Sequence, residues 1–204
     1  KNLLTESNLD MTGAAYPGFS IGTQASDSYG FKAGTQYVTG GFNVRLETDP
    51  GLFDGSSYTF FHATRYIVNG NKNRIWSSSV KNWISGFHDT SRGAFYQDGL
   101  LTAGWPLTDY NQNNSLDWMI VCDQPLYQGG TIRFYPEIQT EKENPVTYSG
   151  GGGNLDTMNK IGINTTEPSG FQCAEAIIFN RILTQEECKQ VEEYLIAKYC
   201  VNNT

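Results

Sequence analysis

Charge is scarce in this sequence. Only 17% of its 204 residues are charged, whereas an ordinary globular protein has about a quarter. Fourteen Lys and Arg against 21 Asp and Glu leave a net charge of −7, which argues against an electrostatic nucleic-acid binder and against a polybasic membrane-surface protein. No apolar run approaches the roughly 20 residues that a membrane-spanning helix needs. We therefore expect that the protein neither binds nucleic acid nor inserts into a membrane.

Glycine and aromatic residues are abundant instead, with 22 Gly, 12 Tyr and 11 Phe. Short runs of β-branched and aromatic residues are separated by Gly, Asn and Asp, a spacing that favours an antiparallel sandwich or barrel. The runs are 36–46, 58–68, 73–77, 82–87, 117–122, 131–135 and 174–179. The runs 58–66 and 118–122 have the composition of central strands that are buried in the core. Trp76 and Trp83 lie in two other strand runs and are expected to be core residues.

One helix is clear near the end of the chain, over residues 184–199. Thr184 and Glu187 have the spacing of a capping box, with Leu183 and Cys188 at the hydrophobic-staple positions. Four residues then fall on one helical face, which is expected to dock on the sandwich: Cys188, Val191, Leu195 and Tyr199. With no linker or repeat in the sequence, we expect a single domain over residues 1–204. The chain begins with Lys, which indicates a processed chain, a fragment or an expressed piece.

The segment 174–184, followed by Glu187, 191–195 and 198–199, resembles the end of laminin G-like, concanavalin A-like jelly-roll domains. Segments 73–77, 82–88 and 95–99 resemble a branch of that superfamily that is common in viral, microbial and algal extracellular proteins. The resemblance covers residues 52–199, and residues 1–50 carry no such motif. It implies an all-β, two-sheet antiparallel jelly-roll sandwich with one short C-terminal helix. The expected location is secreted or surface-displayed, either extracellular or on a virion surface.

The hydrolase branch of this superfamily carries Glu-x-Asp-x-x-Glu on one strand. The nearest match here is residues 47–52, which end in leucine and contain a strand-breaking Pro-Gly pair. The two histidines, His62 and His88, fall on different predicted strands, and neither Gly-x-Ser-x-Gly nor His-Glu-x-x-His occurs. We therefore expect no enzyme, and a glycoside hydrolase is a distant third hypothesis.

Sugar binding needs an aromatic ring to stack on the sugar and polar groups to hold its hydroxyls. Neighbouring segments supply both kinds of residue, and the candidate ligand-binding residues are Tyr96, Asp98, Trp105, Tyr110, Asn111 and Asn113. The leading hypothesis is therefore an extracellular recognition or adhesion domain that binds glycans or glycoproteins. The alternative for Trp105 is a place in a core corner.

Calcium assistance is a second hypothesis for the same region. Oxygen-bearing side chains alternate from Asp109 to Asp117, as hard cations favour, although the spacing is not that of an EF-hand. Asp54 is a further candidate metal ligand from another loop, as in laminin G-like domains. The alternative is a solvated, Asn-rich loop.

Four cysteines bear on the cellular compartment. Cys188 and Cys200 flank the helix about 18 Å apart, which is too far for a disulfide. Two pairings remain, Cys122–Cys188 with Cys173–Cys200 or Cys122–Cys200 with Cys173–Cys188, and either predicts an oxidising compartment. The alternative is four buried thiols.

Three sequons begin at Asn113, Asn164 and Asn202, a number that chance alone explains. If these sites carry glycans, the protein is better explained by a second function than by lectin activity, because an attached glycan at Asn113 would lie beside the proposed ligand loop. That second function is a structural subunit of a filament, appendage or virion surface that self-associates. Residues 1–35 are then expected to pair along a sheet edge of a neighbouring copy.

Overall fold

The structure is a computed structural model, and it describes residues 18–67, 70–99, 117–135 and 145–201. Two antiparallel sheets pack face to face in these ranges. The larger sheet has seven strands in the order β1 (Phe19–Thr23), β2 (Gln36–Gly40), β12 (Phe171–Phe179), β4 (Thr59–Tyr66), β8 (Met119–Asp123), β9 (Thr131–Tyr135) and β10 (Val146–Ser149). The smaller sheet has five, in the order β3 (Leu46–Glu47), β11 (Gly162–Ile163), β5 (Trp76–Ser77), β6 (Trp83–His88) and β7 (Ser91–Gln97).

This arrangement confirms the all-β class and most of the predicted strands. All eight residues of β4 are buried, as expected for the run 58–66. The run 118–122 likewise gives the buried strand β8. The short edge strand β10 and the strands β1 and β7 were not predicted. Exposed polar residues interrupt β1 and β10, and β7 combines aromatic residues with Ser, Arg, Gly and Gln.

Aromatic side chains from both sheets fill the space between them. Phe60 of β4 meets Trp76 of β5 edge to face, with ring centroids 4.8 Å apart, and Trp83 of β6 packs beside them. Trp76 and Trp83 are buried, which confirms their predicted place in the core. On the five-stranded sheet, Phe95 packs against Phe134 of the opposite sheet. This inter-sheet core fixes where every loop leaves the sandwich.

The C-terminal helix α1 (Gln185–Tyr199) covers the other face of the seven-stranded sheet. Its predicted capping box is present: Thr184 Oγ1 accepts from the Glu187 amide, and the Glu187 carboxylate accepts from the Thr184 amide at 2.9 Å. Cys188, Leu195 and Tyr199 are buried against the sheet, which confirms the predicted face. No helix within the described ranges is both long enough and apolar enough to cross a membrane.

One polar residue of α1 is also buried, which the apolar pattern does not predict. Glu192 forms a two-pronged ion pair with Arg133 of β9, at 2.8 and 2.9 Å. The Tyr135 hydroxyl donates to the same carboxylate at 2.8 Å. Glu192 is only 1% exposed, so this group fixes the register of the helix on the sheet.

The two ends of the sandwich are named here after the residues that lie at or beside the two ends of β8. Asp123 lies at one end beside Tyr58 and Gln97, and we call this the Asp123 end. Asp117 precedes β8 at the other end, beside Arg92, and we call this the Asp117 end. The five residues of β8 separate the ends by about 13 Å, at about 3.3 Å per residue.

Replacing Glu192 by Ala is expected to lower the free energy of unfolding by about 3–5 kcal/mol, because Arg133 stays buried without its partner. Urea denaturation measures the change. A triple variant, Arg133→Met, Tyr135→Phe and Glu192→Leu, removes all the polar groups together and is expected to recover most of the loss. Equal destabilisation of both variants would contradict the role given to the ion pair.

Candidate functional site

The most buried carboxylate of the sandwich lies at the Asp123 end. Asp123 Oδ1 accepts hydrogen bonds from the Tyr58 hydroxyl and from Gln97 Nε2, both at 2.9 Å. Trp83 Nε1 donates in turn to the Tyr58 hydroxyl at 3.0 Å. Burial raises the pKa of Asp123 from 3.8 to about 7, although the surrounding donors oppose this rise. The carboxyl therefore joins β8 to the two strands β6 and β7 of the other sheet.

A buried histidine continues the polar interior along β4. His62 Nδ1 lies 3.0 Å from Thr64 Oγ1, and Nε2 lies 3.2 Å from Ser85 Oγ. Trp76 Nε1 donates to Thr64 Oγ1 at 3.0 Å. Burial lowers the pKa of His62 from 6.5 to about 3, so its imidazole is neutral at physiological pH.

The pair Ser85 and His62 has the composition of a nucleophile and its base, but its setting does not suit catalysis. Both residues are 0% exposed, between the sheets. The histidine nitrogen that a catalytic carboxylate would orient is bonded to Thr64 instead. The arrangement can hold the sheets together and hold a proton on Asp123. It offers no described path for a substrate.

Solvent-accessible polar groups collect around a glycine loop at the same end. We call this surface the glycine rim, defined by Lys81, Asn82, Asp98, Tyr127, Gly150, Gly151, Gly152, Gly153, Asn154 and Asp156. Lys81 Nζ forms an ion pair with Asp98 Oδ2 at 2.7 Å. The Tyr127 hydroxyl and Asn154 Nδ2 donate to the Asp156 carboxylate. Hydrogen bonding from Tyr127 holds the pKa of Asp156 below its ordinary value.

Backbone geometry fixes the rim. Asp98 follows β7 with φ +43°, and its amide donates to Asn82 O at 2.8 Å. The Gly153 amide donates to Gln97 O. A Cβ on Gly153 would lie 1.9 Å from Asp98 O, so only glycine allows the loop to approach β7 this closely. A strained aspartate in contact with a tight loop is typical of functional surfaces.

The structure describes two of the six predicted sugar-binding residues. Asp98 lies in the glycine rim and Tyr96 lies half-buried on β7, two residues before it. Trp105, Tyr110, Asn111 and Asn113 lie outside the described residues. Their segment leaves the sandwich at Gly99, beside Gly153 at the rim, and returns at Asp117 at the opposite end.

The predicted metal ligands are not brought together where the structure describes them. Asp54 lies at the Asp123 end, where its Oδ1 accepts from the Ser56 amide and hydroxyl at 2.9 and 2.7 Å. Asp117 lies at the other end, and Asp109 falls outside the described residues. Asp54 and Asp117 therefore cannot share one ion. Within the described ranges, no three His, Cys, Asp or Glu side chains lie close enough to hold a metal.

All four cysteines are buried thiols, and no disulfide joins them. Cys173 lies in the inter-sheet core, whereas Cys122, Cys188 and Cys200 lie on the helix side of the seven-stranded sheet. Both predicted pairings are wrong, because each joins Cys173 to a cysteine across the sheet. Cys122 and Cys188 are in hydrogen-bonding contact with each other, and burial raises the pKa of the Cys122 thiol well above its ordinary value.

The glycosylation prediction at Asn164 is also wrong for the folded chain. Asn164 is 5% exposed, with φ +58°. Its Nδ2 donates to Val44 O at 2.9 Å and to Ser169 O at 2.8 Å, and its Oδ1 accepts from the Ser169 amide. The nitrogen that would carry a glycan is therefore used inside the protein. Asn113 and Asn202 fall outside the described residues.

Sequence reasoning missed Lys81, Tyr127, Asn154 and Asp156, the partners of Asp98 in the rim. They come from three separate segments, and their residue types are ordinary for exposed loops. The one signal in the sequence is the Gly150–Gly153 run, which indicates a long loop between strands. His88, the second histidine, lies half-buried at the other end, 3.1 Å from Glu167.

No protein-family model matches the chain, and a search of curated proteins finds no match.

Replacing Asp123 by Asn or His62 by Gln is expected to change the pH dependence of stability in opposite directions. Asp123 stabilises the fold most below pH 3.8, and this stability is lost as pH rises through about 7. His62 stabilises the fold most above pH 6.5, and this stability is lost as pH falls towards 3. Between pH 4.5 and 6.5 the two effects oppose each other in the natural chain.

Urea denaturation across that range gives the unfolding equilibrium constant of each variant relative to the natural chain. This ratio is expected to fall roughly fiftyfold with rising pH for Asp123→Asn, and to rise by a similar factor for His62→Gln. The ratio cancels the titration of all other groups. A flat ratio for either variant would show that its side chain does not titrate as a buried group.

Oxidation with diamide is expected to join Cys122 to Cys188 only. Each thiol loses one proton and one electron, and diamide is reduced to the hydrazine. Mass spectrometry after alkylation under denaturing conditions identifies the cross-link, and Cys173 and Cys200 are expected to be alkylated. A disulfide that contains Cys173 would place this residue on the wrong side of the sheet.

Proposed function

We propose that the chain is a non-enzymatic recognition domain that binds carbohydrate at the glycine rim, in a secreted or surface-displayed protein. We also propose that its two sheets have the jelly-roll topology of laminin G-like, concanavalin A-like domains. The observed sandwich with one C-terminal helix supports this second proposal. The extracellular location is supported by the low charge and the high glycine content.

The rim is the observation that carries the proposal. It combines two carboxylates, two side-chain amides, one ammonium group and one phenol within a single exposed surface. Sugar hydroxyls are held by such planar donors and acceptors, provided that these are fixed in advance. Here Asp98 is fixed by Lys81 and by its own amide, and Asp156 by Tyr127 and Asn154.

The aromatic part of the site is proposed to come from Trp105 and Tyr110. The last described residue before their segment, Gly99, lies against Gly153 of the glycine loop. A ring that stacks on the apolar face of a sugar would complement the hydrogen bonds from Asp98. Calcium assistance remains a proposal for Asp109 and its neighbours. Asp54 and Asp117 do not share one calcium site in this proposal, because they lie at opposite ends of the sandwich.

The interior supports a non-enzymatic function. Two side chains with strongly perturbed pKa values, His62 and Asp123, lie between the sheets and not in the rim. In the rim itself the carboxylates of Asp98 and Asp156 are bound to partners. A glycoside hydrolase would need one carboxylic acid held neutral near its substrate.

The alternative is a self-associating structural subunit, and one observation favours it. Ile21 of the edge strand β1 is 72% exposed, an unusual exposure for a large apolar side chain on a sheet edge. Residues 19–23 already pair with β2 of the same chain, and Phe31 stacks between Trp118 and Tyr199. Deleting residues 1–35 would therefore damage the fold. Replacing Ile21 by Lys is the cleaner test of self-association.

Glycan-array binding is expected to be saturable for the natural chain and at least tenfold weaker for Asp98→Asn, since a charged hydrogen-bond acceptor is lost. Asp89→Asn is the matched control, because Asp89 has nearly the same backbone conformation, φ +45° against +43°, at the opposite end. The array is run with calcium and with chelator.

The same loss in both aspartate variants, or none in either, would contradict the rim as the binding site. Loss of binding in chelator would place a cation in the site. Absence of glycan binding together with association that Ile21→Lys abolishes would favour the structural subunit.

A further inference from the structure

Strand β12 lies in the middle of the seven-stranded sheet, yet half of it has the character of an edge. Its neighbour β2 pairs only with Phe171, Gln172 and Cys173. On the other side, β4 pairs along the whole length to Phe179. Among the described residues, no strand pairs with the β2-facing edge of β12 beyond Cys173.

Solvent exposure agrees with this description. Whereas β4 is buried throughout, β12 is only partly buried from Ala174 onwards, and Ala176 is exposed. A β-bulge between Cys173 and Glu175 turns the strand away from β2 at this point. The result is a notch in the sheet with a row of backbone donors and acceptors along Glu175–Phe179, and we call it the β12 notch.

A cavity opens beside the β12 notch, between the sheets. Its volume is about 220 Å³, and its lining is mainly apolar, including Val38, Leu46, Trp76, Ile163, Cys173 and Ala176. An engineered cavity of about 150 Å³, left by truncating a leucine, is large enough for benzene. The cavity beside the notch can therefore hold a leucine or phenylalanine side chain.

Polar groups lie on both sides of the notch. Glu47 borders the cavity and is paired with Lys160 at 3.0 Å. On the helix side, Glu175 accepts from Lys198 at 3.0 Å and from the Tyr199 hydroxyl at 2.7 Å. A strand that added here would therefore meet an apolar surface on one face and a polar surface on the other.

We propose that the β12 notch binds an extended segment of a partner polypeptide by strand addition. An unpaired backbone row is complemented by another backbone. Because side chains alternate along a strand, the segment would place apolar residues in the cavity and polar residues towards Glu175 and Tyr194. The proposal does not depend on carbohydrate binding, since the notch and the glycine rim share no residue.

The test uses a synthetic peptide, Lys-Thr-Val-Thr-Leu-Thr-Val-Thr-Lys, and the natural full-length chain. Two N-methylated isomers of this peptide are compared, each with three N-methyl groups. The first isomer is methylated on the amides of Val, Leu and Val. The second isomer is methylated on the amides of the three Thr residues that directly precede them. In a strand, alternate amides face opposite edges. Strand addition is therefore expected to tolerate one isomer and to reject the other, with binding measured by amide shifts of Glu175–Phe179 in NMR titrations.

Ala176→Lys is expected to weaken peptide binding at least tenfold. Ala33→Lys is the matched control, an equally exposed alanine outside the notch, and is expected to bind like the natural chain. Asp98→Asn is expected to bind the peptide normally, which separates this test from that of carbohydrate binding. Equal binding of both isomers, or no binding at millimolar peptide, would overturn the proposal. Self-association that Ala176→Lys abolishes would identify a second copy as the occupant and would also overturn it.

Discussion

The hydrogen bonds of Asp123 and its neighbour Gln124 hold several elements of this protein together at one end of the sandwich. Tyr58 and Gln97 bind its Oδ1, and Gln97 Oε1 accepts in turn from the Leu126 amide. The next residue, Gln124, donates to Thr59 Oγ1 and to Leu183 O, just before the helix. Through these contacts β4, β7, β8 and the start of α1 meet at one end of the sandwich. Loss of the network would free the loops that form the glycine rim.

This dependence explains why the polar residues divide into two populations. The interior holds His62, Ser85 and Asp123, which are fully buried, and burial favours the neutral forms of His62 and Asp123. The rim holds Asp98 and Asp156, whose carboxylates are bound to Lys81 and to Tyr127 and Asn154 at the surface. Recognition needs the second population, and the first provides the rigid support that makes its geometry reproducible.

Much of the fold could be predicted from the sequence, because the signals are local. The β4 run is rich in aromatic and β-branched residues, and Thr184 and Glu187 mark the helix start through contacts three residues apart. The strand β7 escaped prediction since its outward residues are small or polar. The cysteine pairings failed for a different reason: the bulge after Cys173 changes which face the following residues occupy, and no sequence period reveals such a shift.

The functional surface was harder to predict than the fold. Asp98 was recognised as a candidate from its neighbourhood to aromatic residues, but Lys81 and Asp156 lie far from it along the chain. Only the packing of the glycine loop against the end of β7 brings them together. The β12 notch could not be predicted for a similar reason, because it depends on where the pairing between β2 and β12 ends and not on the composition of β12.

The claim that the acid–base groups are structural, and that recognition is left to the surface, rests on the burial of two side chains. The most direct test follows the Asp123 carboxyl carbon and the His62 ring by NMR over a pH series. The account predicts an Asp123 midpoint near pH 7 and a His62 ring that stays neutral until about pH 3. Midpoints near 3.8 and 6.5 would mean that water reaches the interior. The Ser85–His62 pair would then have to be considered as a catalytic site.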